Sequence, residues 1–163
     1  QVREQVEAAL AKWNPPAPAL ALPAATTLSE AKRDSASTEK EQAVVTLGFR
    51  GCTLGHPDRY AMDLIPEALN DMGSRLFPKI REELGLAYYV GTQNFTGLVP
   101  GCFSFYAGTA AETAAQVEEE LLNQAKRLAK EGLTDEELRR AKAKLIGHKK
   151  IAQIGRASCR ERV

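Results

Sequence analysis

Apolar positions along this 163-residue chain change period several times, and each change marks an element. In residues 2–13, Val2, Val6, Leu10 and Trp13 share one face at helical spacing. Such an amphipathic helix normally packs on a preceding strand, so the chain is expected to begin inside a domain. Asn14 and the prolines Pro15, Pro16, Pro18 and Pro23 end the helix, because proline lacks an amide donor and fixes its backbone. Residues 28–37 are polar and are read as an edge strand, with Thr38 to Glu41 as a hairpin turn. Residues 42–50 alternate, with Ala43, Val45, Leu47 and Phe49 on one face of a half-buried strand. A helix over 57–72 carries Met62, Ile65, Leu69 and Met72 inward, and Pro66 is expected to bend it or remove one hydrogen bond. A shorter helix over 74–83 starts on Ser74 as N-cap and stops at Gly85.

Residues 86–95 and 101–109 read as antiparallel strands around Gly97 to Gly101. In the second strand Phe103 and Phe105 point one way, and Cys102, Ser104 and Tyr106 the other. A long helix over 111–130 turns Ala114, Val117, Leu121, Ala125 and Leu128 inward, and Gly132 closes it. Thr134 and Glu137 form a capping box that opens a last helix with Leu138, Ala141 and Leu145 inside. This order predicts an α+β fold, with helices over an antiparallel sheet.

Composition narrows the function classes. With 44% hydrophobic and 26% charged residues, the chain fits one globular domain. A net charge of +1 gives no bulk attraction to nucleic acid. Arg139, Arg140, Lys142 and Lys144 are basic, but Asp135, Glu136 and Glu137 balance them on the same helix. The longest apolar run is a few residues, too short to span a bilayer as a helix, and no signal-peptide pattern opens the sequence. The last ten residues, Ile154 to Val163, break the preceding helical pattern. They back-translate, codon by codon, into one reading frame of a common short-read sequencing adapter. They are therefore expected to be foreign to the protein, leaving residues 1–153 as the domain. Setting them aside removes three Arg and one Glu, so the net charge becomes −1, and Cys159 drops out. The remaining Cys52 and Cys102 set no disulfide framework and leave the compartment open.

Few residues are equipped for chemistry. Zinc hydrolysis needs three protein ligands and a general base, yet the chain has two histidines, and neither H-E-x-x-H nor H-x-x-E-H occurs. Cys52 and His56 are four apart, but no second ligand pair stands near them. His148 sits beside Lys149 and Lys150 on a solvated helix. No metal site is expected here. No glycine-rich phosphate loop follows a strand, and no serine nucleophile has a placed histidine.

One constellation stands apart. Arg81, near the end of the short helix, and Tyr88, at the start of the next strand, flank the Gly85 turn. A guanidinium fork and a phenol at one corner can bind a peptide carbonyl, or the oxyanion formed when water attacks it. A surface Arg beside a half-buried strand Tyr fits the same spacing. Tyr89 points to the opposite face and is expected in the core.

At that corner the run from Gly73-Ser74-Arg75-Leu76-Phe77-Pro78-Lys79-Ile80 through Arg81-Glu82-Glu83-Leu84-Gly85-Leu86-Ala87-Tyr88 resembles the signature of the insulinase family of zinc metallopeptidases. That family includes pitrilysin and the mitochondrial processing peptidases. The resemblance is to its inactive, non-zinc C-terminal domain. Leu47-Gly48-Phe49, Ala107-Gly108-Thr109 and Leu133-Thr134-Asp135-Glu136-Glu137-Leu138 carry it further, over residues 1–153. It implies an antiparallel-rich sheet with flanking helices, in one of two clam-like halves around a chamber. It implies zinc on an opposing domain, of this chain or of a partner subunit, and none in this one. It assigns Arg81 and Tyr88 to peptide substrate; from charge and apolar run length, no nucleic-acid or membrane partner is expected. A departure precedes Ser74, where the family's glycine-rich run reads Leu69-Asn70-Asp71-Met72-Gly73. The expected function is the substrate-binding half of a zinc-dependent metalloendopeptidase, inactive alone. The alternative is a non-catalytic scaffold subunit.

Overall fold

The computed structural model describes residues 2–11, 13, 21–22 and 29–160. Helix α1 (Val2–Leu10) is followed by strand β1 (Gln42–Arg50) and helix α2 (Arg59–Leu69). A six-residue π-turn, Pro78–Glu83, leads to strands β2 (Tyr89–Phe95) and β3 (Cys102–Ala110). A 3₁₀ turn then enters α3 (Ala114–Glu131), and α4 (Asp135–Arg160) ends the described chain. The three strands form one antiparallel sheet in the order β1-β3-β2. The expected α+β class holds.

Register explains why one face is buried. Leu47 and Thr92 both sit opposite Phe105, while Val45 and Val90 both sit opposite Ala107. Side chains at matched positions share a face, so the alternation in β1 meets the apolar set of β3. Phe105 is 1% exposed and takes Phe103 and Phe49 edge-to-face at 5.5 and 6.1 Å. Leu69, Leu76, Ile80, Val117, Leu121 and Ala141 complete this core from the helices.

The last two helices follow their sequence signals. Val117 and Leu121 are fully buried, and Gly132 closes α3 with φ 71°. The capping box is formed in both directions: the Glu137 amide donates to Thr134 Oγ1 at 3.2 Å, and the Thr134 amide donates to Glu137 Oε2 at 2.8 Å. On the other side, α2 guards the outer edge of β2. Asn70 donates to the Thr92 carbonyl and accepts from the Thr92 amide, each at 2.7 Å, and Asn94 donates to Asp63 at 2.8 Å. The departure at 69–73 thus has a structural use, because a carboxamide can satisfy both backbone groups of an edge residue.

Several expectations fail. Residues 29–41 form no strand and no hairpin; Arg33 instead reaches Glu118 on α3. This stretch has no alternating apolar face to bury, so nothing offsets the cost of ordering it as a strand. Helix α1 forms, but Val2, Val6, Leu10 and Trp13 stay exposed, and the helix has no buried residue. The proline run expected to end it lies outside the described residues. The break expected at Ile154 is also absent, since α4 continues to Arg160. No proline stops it there, and a single glycine costs a helix only about 1 kcal/mol.

Candidate functional site

The stretch from Gly73 to Tyr88 is fixed from behind and open in front. Ser74 is buried, and its hydroxyl accepts from the Phe77 amide at 3.4 Å, the N-cap role its position predicted. Leu76 and Ile80 are fully buried and anchor the following turn in the core. The Leu84 amide bonds the Lys79 carbonyl at 3.2 Å, which widens this turn to π geometry. Gly85 then takes φ 61°, a left-handed conformation that glycine adopts without a Cβ penalty. The chain doubles back, and the Leu86 amide donates to the Ile80 carbonyl at 3.0 Å.

Arg81 and Tyr88 are carried on the two arms of this corner. Both are exposed, Tyr88 by 58%. The Arg81 guanidinium lies 4.8 Å from the centre of the Phe77 ring, a cation–π contact that limits its wandering while leaving its donors free. Among the described residues it makes no ion pair. The backbone of Tyr88 is pinned to β3, its amide donating to the Gly108 carbonyl at 2.7 Å.

Tyr89 is not a core residue. It is 41% exposed on the sheet face away from the helices, where its ring lies over Gly108 and 6.3 Å from that of Tyr106. The expectation of a core Tyr89 fails because, among the described residues, no helix covers the sheet face on which its ring lies. Cys52 and His56 line one cleft with Asp58 and Arg50. No cluster of three or more His, Cys, Asp or Glu that could hold a metal occurs among the described residues. His148 lies far along α4, beside Glu67. The described residues therefore offer no three-ligand set for a catalytic zinc.

At its start the stretch is tied to a second corner, the α3–α4 turn at Gly132, through Arg75, which periodicity did not single out. Arg75 donates to Glu137 through Nε at 2.7 Å and through a second nitrogen, and to the Gly132 carbonyl at 3.0 Å. Both side chains of this pair are nearly buried, at 10% and 9% exposure. The Arg75 guanidinium, with help from Thr134, holds the Glu137 carboxyl down to about 2. Arg140 donates to the Gly73 carbonyl at 2.9 Å. In the sequence Arg75 stood only as one residue of the Gly73–Tyr88 run, which named no partner for it.

With this geometry in place, the comparisons decide the family. The family model described as the peptidase M16 inactive domain matches residues 1–145. This chain belongs to that family. It is similar to YmxG, an uncharacterized zinc protease of Bacillus subtilis, at 34% identity over 110 residues, 67% of this chain and 27% of the relative. It is 38% identical over 115 residues to an uncharacterized zinc protease of Rickettsia bellii, covering 69% of this chain and 28% of that one. Among solved structures, the peptidase M16 inactive domain from Pseudomonas fluorescens superposes with a TM-score of 0.62 at 28% identity, over 66% of this chain and 27% of that one. A protease from Helicobacter pylori shares the fold with a TM-score of 0.62 at 22% identity, over 73% of this chain and 28% of that one. The chain thus spans about a quarter of the length of the relatives it matches. It is an M16 inactive domain of the zinc protease family, and its likeness to the insulinase C-terminal domain stands.

Proposed function

We propose that this domain is the substrate-gripping half of a zinc-dependent metalloendopeptidase, with zinc held by an opposing domain on another segment or subunit. The observation that carries this reading is the exposure of Arg81 and Tyr88 on a corner whose backbone is fully anchored. A guanidinium with free donors and a phenol on a rigid frame suit an extended peptide, which offers carbonyl acceptors along its length. The same donors would gain strength as negative charge grows on the scissile carbonyl oxygen. Neither needs to move far, so little ordering cost falls on the bound state.

The test uses the complete peptidase. Arg81→Ala and Tyr88→Phe are expected to lower kcat/KM for a peptide substrate by about 100- to 1,000-fold, the range for removing one oxyanion donor. Zinc content should not change. Unchanged cleavage in both variants would sink the gripping role and leave the scaffold alternative.

A further inference from the structure

We propose that Thr109 is a positioning residue for the peptide-gripping corner, acting on Tyr88 through the carbonyl of Leu86. This rests on the reading of Arg81 and Tyr88 given above. Thr109 is fully buried near the end of β3, yet its hydroxyl does not serve the sheet. It donates instead to the Leu86 carbonyl, across the gap between β3 and the chain entering β2. Its oxygen also lies 2.6 Å from the hydroxyl of Thr113, in the 3₁₀ turn that follows. Each hydroxyl has one proton. With the Thr109 proton spent on Leu86, the contact between the two hydroxyls requires the Thr113 proton. The chain therefore has one polarity: Thr113 donates to Thr109, and Thr109 donates to Leu86. The Ala110 carbonyl, 3.2 Å from Thr113 Oγ1, is left as a long minor branch of the same donor. Donors linked in this order polarise one another, so the last bond, on Leu86, is the strengthened one.

The position of that bond gives it a role. Leu86 follows the left-handed Gly85 and precedes Tyr88 by two residues. The Leu86 amide is tied to Ile80, the residue beside Arg81, and the Tyr88 amide is tied to Gly108, the residue beside Thr109. Between these two ties the Leu86 carbonyl is the hydrogen-bonded tether, beside the buried Ala87 side chain. Without it the Leu86–Ala87 peptide is free to tilt between the two amide ties and above the buried Ala87, and the Tyr88 phenol shifts with that tilt. Thr109 touches no substrate itself. A hydroxyl is required, and the methyl group is secondary.

The experiment is a double-mutant cycle in the complete peptidase. Thr109→Val should lower kcat by about 10- to 100-fold, the scale of an ångström-sized misplacement, with zinc content unchanged. Thr109→Ser should restore most of it. In a Tyr88→Phe background, Thr109→Val should add little further loss, because its effect runs through the phenol. Thr113→Val, at a partly buried site, should show a smaller loss of the same kind and serves if the first variant does not fold. A folded Thr109→Val enzyme with full turnover overturns the proposal. So does a loss that multiplies undiminished in the Tyr88→Phe background. Full turnover in Tyr88→Phe and Arg81→Ala removes the gripping role beneath it, a separate result read from different variants.

Discussion

Two corners of this domain are built alike and used differently. One joins α3 to α4 at Gly132; the other joins the π-turn to β2 at Gly85. These are the two glycines with positive φ among the described residues. At the first corner the charged groups are turned inward, and Arg75, Glu137 and Thr134 spend their donors and acceptors on one another. At the second the backbone is tied down by Ile80, Gly108 and Thr109, while the side chains of Arg81 and Tyr88 face outward. A charge satisfied within the fold stabilises it and has little left to offer a ligand. A charge left exposed on an anchored frame contributes little to stability and keeps its donors for a ligand.

Removing one partner at each corner sharpens the contrast most. Arg75→Ala leaves Glu137 nearly buried without its guanidinium, and should destabilise the domain by about 2–4 kcal/mol. Arg81→Ala at the other corner should change stability by no more than about 0.5 kcal/mol, as exposed sites do. Urea unfolding of both variants measures the difference. Equal losses would break the comparison.

The glycines themselves should differ next. Gly132 has φ 71° with ψ −159°, a region open essentially to glycine alone, so Gly132→Ala should cost about 1–3 kcal/mol. Gly85 at φ 61° allows a side chain at about 1–2 kcal/mol. Neither glycine has an atom within 4 Å of an added Cβ, so the cost is backbone strain rather than collision. Chemical denaturation should rank Gly132→Ala above Gly85→Ala. The reverse order would mean that Gly85 is the more constrained turn.

The pH dependence separates the corners in the same sense. Glu137 has its carboxyl lowered to about 2 by Arg75. A depressed carboxyl contributes stability that is present in full above the unfolded value, near 4.5, and is lost as pH falls toward 2. Wild-type stability should therefore decline between about pH 5 and 2 more steeply than that of Glu137→Gln. Parallel curves would show that the pair has no such effect.

What the sequence revealed follows the same division. Period and punctuation are local signals, and they placed β1, both glycine stops, the capping box and the two faces of β3. Arg81 and Tyr88 also showed locally, as two side chains flanking one turn. The partners of Arg75, Asn70 and Thr109 lie 62, 22 and 23 residues away, and no local pattern carries such a separation. Helix α1 shows the opposite failure. Its stripe predicts burial, but a stripe cannot supply the surface that buries it, and Val2, Val6, Leu10 and Trp13 remain exposed. Tyr89 fails for a related reason: alternation assigns a face, not what covers it.

The smallest expected effect concerns metal. Titrating residues 1–153 with zinc at neutral pH should show no stoichiometric uptake. His56 stands in the loop between β1 and α2 while His148 is on α4, and no cluster of three or more ligating side chains joins either among the described residues. Two separated imidazoles hold zinc weakly, because a closed site needs four ligands and a catalytic one three. Cys52 beside His56 is the best remaining pair, so Cys52→Ser should leave the titration unchanged. One tightly bound zinc per chain, lost in Cys52→Ser, would make the β1–α2 loop a metal site in its own right. It would also end the proposed distinction between a corner that grips peptide and an opposing domain that holds the metal.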